Sequence, residues 1–100
     1  MGIDSSSVSN MGSIKTVIPI SADSTSATEY EVIEGSIYVA LQNNGSDSVW
    51  MGDEDVDPSA LRGLKLPPSA MWIFENVEKT FSVYFKCAAG ESTTVSVIEG

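Results

Sequence analysis

Residues 36–52 read SIYVALQNNGSDSVWMG, and the alternation within them decides the fold class. Ile37, Val39 and Leu41 fall on one face at period two, and Val49 and Met51 repeat the pattern after a cluster of turn-forming residues. Asn43-Asn44-Gly45 supplies residues that tolerate positive φ, so the stretch reads as a β-hairpin. The opposite face of the same strands carries Tyr38, Ala40 and Trp50, where a solvated sheet normally places polar side chains. Both faces therefore need cover.

Working outward, the flanking segments have the same character. Ile14–Ile20 is a strand candidate in which Pro19 removes a ladder donor and marks an edge. Glu29–Ile33 alternates acid and apolar residues, Leu64–Leu66 is a short strand closed by Pro67-Pro68, and Met71–Phe74 is apolar on both faces. Phe81–Ala88 and Thr93–Ile98 are the last strands, read as a second hairpin through Ala89-Gly90-Glu91. Asp57 is placed to cap a single helical turn with Pro58 at its first position. About eight short strands at roughly 8–12-residue spacing, with no segment of helical period, predict an all-β fold, a two-sheet sandwich or a barrel. The expected architecture is an antiparallel two-sheet sandwich, jelly-roll or Ig-like Greek key. Residues 1–13, MGIDSSSVSNMGS, have the composition of a flexible arm that orders only against something else, which points to an assembly. The sandwich domain then spans 14–100.

Composition limits the chemistry. The 100 residues carry 14 acidic and 5 basic side chains, a formal net charge of −9, and the basic residues Lys15, Arg62, Lys65, Lys79 and Lys86 are scattered along the chain. Nucleic acid is not an expected partner, because neutralising phosphates takes clustered Lys or Arg. No apolar run approaches the ~20 residues of a membrane helix, and no basic segment leads into an apolar one at the start. Synthesis in the cytoplasm, without a membrane partner, is the expectation. Met1-Gly2-Ile3-Asp4-Ser5-Ser6 fits the loose myristoylation pattern, a short motif that has meaning only in a eukaryotic cell.

Histidine is absent and Cys87, the sole cysteine, continues the alternation Phe81, Val83, Phe85 and so reads as a buried small hydrophobe. Histidine-based acid–base catalysis, Ser-His or Cys-His nucleophiles and Cys/His zinc sites are thereby set aside. Carboxylates remain. Asp53, Asp55 and Asp57, with Glu54 among them, alternate as the oxygen ligands of a weak Ca²⁺ loop would. The EF-hand version fails, because Pro58 stands where that loop needs glycine and Leu64 where it needs glutamate. A solvated acidic loop that caps a turn is the simpler reading, and no metal or cofactor is expected. A carboxylate pair for glycoside hydrolysis would need a cleft that so small a sandwich hardly provides. Asn44-Gly45-Ser46 is formally a glycosylation sequon but is better explained as turn chemistry.

The aromatic residues carry the functional expectation. If Ile37, Val49, Val83 and Phe85 face inward, then Tyr38, Trp50 and Tyr84 face outward, and either Trp72 or Phe74 joins them; Trp72 is taken as the fourth member. Outward aromatics on a sheet mark a protein interface or a sugar-stacking platform, unless a loop or the arm covers them.

From Ile37 to Ile98 the order of features is an apolar strand ending in Gln42-Asn43-Asn44-Gly45, then Val49-Trp50-Met51-Gly52, an acidic loop, Gly63-Leu64-Lys65-Leu66-Pro67-Pro68, an aromatic strand and a closing Thr-Val-Ser-Val-Ile-Glu. This order resembles the small β-sandwich proteins encoded among the structural genes of tailed bacteriophages. Such proteins often carry glycine before the aromatic strand, where this chain has Pro68-Ser69, so the turn there is expected to differ. The resemblance implies a non-enzymatic virion subunit present in many copies. Its leading form is a capsid decoration or cement protein that binds the major capsid protein or other virion proteins and forms a homo-oligomer. The alternatives are a carbohydrate-binding module, with Trp50, Trp72 and Tyr84 stacking sugars, and a head–tail connector or tail subunit.

Overall fold

The structure, a computed structural model, describes residues 14–33, 35–75, 77 and 81–100. The 1–13 arm lies outside the described residues. Nine strands follow in chain order among them: β1 (Lys15–Thr16), β2 (Ile20–Asp23), β3 (Thr28–Glu31), β4 (Tyr38–Asn43), β5 (Val49–Gly52), β6 (Leu64–Leu66), β7 (Met71–Glu75), β8 (Ser82–Lys86) and β9 (Ser92–Glu99). One 3₁₀ turn, Pro58–Ala60, sits between β5 and β6. Asp57 caps it by accepting from the Ser59 N–H, and Pro58 occupies the opening position as the sequence predicts.

The strands form two antiparallel sheets packed face to face. One orders β1, β9, β4 and β7, with β2 also pairing β9; the other orders β3, β8, β5 and β6. Only β5 and β6 are both consecutive in sequence and paired within a sheet, apart from β1 and β2 sharing β9. Every other connection from β2 onward crosses between the sheets. That is the double-sheet weave of a jelly roll, and it settles the topology between the two expected forms.

Both expected hairpins are therefore corrected to arches. β4 pairs with β7 and β9, whereas β5 pairs with β6 and β8, so the segment between them bridges the two sheets. β8 and β9 likewise lie in different sheets. Period-two alternation reports which side chains face the core, and two sheets facing one core share that signal. The turn residues also act differently from expectation. Among the described residues, positive φ falls at Gly35, Gly63, Gly90, Leu61 and Ser69, not at Asn43, Asn44 or Gly45. Glycine is needed at 45 for closeness instead: a Cβ there would overlap the Thr93 side chain and lie 2.9 Å from the Thr94 nitrogen.

The core fills the space between the sheets with Val39, Leu41, Val95 and Val97 from one and Val49, Met51, Leu66, Val83 and Phe85 from the other. Ile37 is not among them. It precedes β4 and is exposed, and Ser36 is buried in its stead. Ser69 takes φ +74° at the third position of the Pro67–Ala70 turn, closed by Ala70 N–H donating to Pro67 C=O at 3.0 Å. This is a type II turn, whose third position normally favours glycine.

Candidate functional site

Two flanks of the sandwich differ in how they close. On one, the polar side chain of Glu99 is fully buried because β9 continues its alternation Thr93, Val95, Val97 inward. Its carboxylate accepts from the Tyr30 hydroxyl, from the Ile33 N–H at 3.0 Å and from the Ser36 hydroxyl at 2.6 Å. Burial pushes this carboxyl above the ordinary carboxylate range, against the backbone hydrogen bond from Ile33 and the charge of Lys15, which pull it down. The cluster ties β9 of one sheet to β3 of the other. On the same flank, Cys87 N–H donates to Asp23 C=O at 2.9 Å and binds the same two sheets at their other end. Cys87 itself is buried, and burial pushes its thiol up to about 11, as befits a core residue and not a nucleophile.

The opposite flank is apolar and open. An indentation of about 550 Å³ lies between β6 and β7, lined chiefly by Met51, Leu64, Trp72, Phe74, Phe81 and Val83. Phe74 stands edge-to-face with both Trp72, at 6.2 Å between ring centres, and Phe81, at 5.5 Å. Trp72 lies opposite Leu41 in the β4–β7 ladder and Phe74 opposite Val39. Directly opposed residues share a face, so both rings belong to the inner face, at its uncovered margin. Trp72 is 41% exposed because the sandwich ends there.

The four aromatics expected on one surface are thus divided among three. Tyr38 lies on the outer face of the larger sheet, packed close to Gly100, where an added Cβ would strike its ring. Trp72 rims the open flank. Trp50 and Tyr84 share the outer face of the smaller sheet, where Trp50 stands opposite Lys65 on one side and Lys86 on the other, and Tyr84 stands opposite Gly52. Two of the basic residues that are scattered in sequence are thereby brought to one row around Trp50.

The acidic loop does not gather into a ligand set. Asp53 turns its carboxylate to the Asp55 N–H at 2.9 Å, and Asp57 accepts from the Ser59 N–H and hydroxyl at 3.0 and 2.8 Å. The Ser59 hydrogen bonds hold the Asp57 carboxyl below its usual range. Among the described residues no three acidic, cysteine or histidine side chains are placed to hold one metal ion.

Two polar residues are buried where the sequence predicts no buried polar group: Asn43, expected in the turn, and Glu99, expected to have no role. Glu99 and Asn43 both fall at inward positions of alternating strands, and parity alone identifies them. Asn43 is fully buried, donating to the Asp47 and Leu66 carbonyls at 2.8 Å each and accepting from the Thr93 hydroxyl at 2.6 Å, so it holds the β4–β5 arch shut. Compared with known proteins, the chain matches no family model, no curated protein and no solved structure.

Proposed function

We propose that this chain is a non-enzymatic structural subunit of a tailed-phage virion, a capsid decoration or cement protein held to the major capsid protein and to its own copies. The observation that carries the assembly part of this reading is the apolar surface left uncovered by the described residues: Leu64, Met71, Trp72, Ile73 and Ile98 are all exposed. On a chain of net charge −9, such surface marks contact with other proteins. Its placement in a virion rests on the resemblance over residues 37–98, and a jelly roll is an architecture used by viral capsid domains. Fold alone does not assign function. Purified phage particles, weighed by quantitative mass spectrometry, test this directly. A copy number in simple ratio to the capsid protein supports it, and absence from the particle refutes it.

A carbohydrate-binding role draws on one specific feature, the Trp50–Tyr84 platform on the outer face of the smaller sheet with Lys65 and Lys86 beside Trp50. Jelly rolls also serve as lectins. Trp72 is not part of that platform. Retention of the chain on an acidic polysaccharide matrix, lost in Trp50→Ala, would favour this reading over the first.

A further inference from the structure

We infer that β7 is the site at which a second copy of this chain adds, edge to edge, through an antiparallel β7–β7 pair centred on Ile73. The inference deepens the assembly reading above and rests on it for its setting.

Unpaired strand edges invite aggregation, and proteins blunt them with short length, charge or proline. Three of the four edges here are blunted. The β1–β2 edge is split around Pro19 and carries Lys15; β3 carries Glu29 and Glu31; β6 has three residues with Lys65 at its centre and Pro67-Pro68 behind it. By contrast β7, Met-Trp-Ile-Phe-Glu, has no proline or lysine and pairs only with β4 among the described residues. Met71, Trp72 and Ile73 on it are 57%, 41% and 50% exposed.

The ladder phase shows what the edge offers. Asn43 N–H donates to Ala70 C=O at 3.0 Å, so Ala70, Trp72 and Phe74 turn their backbone groups to β4. Alternation then turns the N–H and C=O of Met71, Ile73 and Glu75 outward. A two-fold pair centred on Ile73 places Ile73 opposite Ile73 and Met71 opposite Glu75 twice, so that all three outward donors of each copy find acceptors. The same register sets each Trp72 opposite the partner's Phe74 on the inner face, at the mouth of the apolar indentation.

The strand's self-complementary register suits a second copy. Two copies of net charge −9 repel, and they meet most easily along a strip whose one acidic side chain opposes methionine and not itself. One five-residue strand and its flanking rings form an interface of the small class, below about 1,200 Å², for which a dissociation constant of about 1–100 µM is expected. Such a contact fills when copies are held side by side.

Sedimentation velocity on the full chain from about 1 µM to about 1 mM tests this, with the melting temperature recorded for each variant. A monomer–dimer equilibrium is expected, weakened more than tenfold by Ile73→Lys and left unchanged by Ile98→Lys, which charges the same outer face away from the edge. Slowed amide exchange at Ile73 in the dimer gives an independent readout. A chain that stays monomeric throughout, or a dimer insensitive to folded Ile73→Lys, or one broken equally by Ile98→Lys, overturns the inference. Copy number on particles is measured separately, so a failed dimer and a failed virion assignment are told apart.

Discussion

The two flanks of the sandwich solve the same geometric problem by opposite means. Where β3 approaches β2 and β9, the gap between the sheets is closed by directed bonds: Tyr30, Ile33 and Ser36 converge on Glu99, and Cys87 N–H reaches Asp23. Where β6 and β7 end the sheets, the gap is left to Trp72, Phe74 and Phe81, which pack on one another without closing it. A buried carboxylate is tolerated only if its hydrogen bonds are complete, so the first flank is rigidly specified. Aromatic rings at an open margin can exchange solvent for another apolar surface, so the second is suited to association. The difference teaches that one side of this domain is fixed by directed hydrogen bonds, while the other leaves the apolar surface on which the proposed assembly would draw.

The largest effect should come from breaking the closed flank. Glu99→Ala strands a buried tyrosine hydroxyl, a serine hydroxyl and a backbone N–H, at about 1–3 kcal/mol for each group left unsatisfied, so a loss of about 3 kcal/mol or more is expected. Thermal unfolding followed by circular dichroism should show a fall of ~10 °C or more in a domain of this size.

Next in size is the open flank's inner ring. Phe74→Ala removes two edge-to-face partners from a half-buried position, and about 2 kcal/mol is expected, below the ~3–5 kcal/mol of a fully buried phenylalanine. Chemical denaturation measures it. A value matching a full core deletion would mean that the flank is closed in solution.

The comparison is sharpened by pH. The Glu99 carboxyl is raised by burial, so the folded state binds its proton more tightly than the unfolded state does. Its contribution is therefore fully present below the ordinary carboxylate range and is lost as pH rises through the raised folded value. Glu99→Gln, which cannot titrate, should lack this fall. Denaturation curves between pH 4 and 8, taken as the difference between parent and variant, report it.

The outermost aromatics should matter least to the isolated fold. Trp72→Ala is expected to lower stability by about 1 kcal/mol or less while weakening self-association, because the ring is 41% exposed on the open margin. Trp50→Ala, on the other sheet's outer face, should leave that self-association unchanged. The smallest signal is chemical: iodoacetamide at pH 8 should leave Cys87 unmodified until the protein unfolds, since the buried thiol is held up to about 11.

What the sequence determined by itself is local. Alternation in Val39–Leu41, Val49–Met51 and Val83–Phe85 identified the strands and their buried sides, because a strand's side chains alternate whatever it pairs with. Proline chemistry placed the Asp57 cap and the end of β6 for the same reason, through torsions fixed within a few residues. Tertiary structure alone decided the partners. Five residues separate β4 from β5 whether they form a hairpin or an arch, and only the choice of β9 and β7 over β5 as neighbours of β4 made it an arch. That choice also moved Trp72 to the inner margin and drew Lys65 and Lys86 to either side of Trp50. The face a residue occupies follows from its own strand where one side of that strand is polar, which is not so in β7; the neighbours it meets there follow from strands distant in sequence, and those non-local pairings leave no mark at short range.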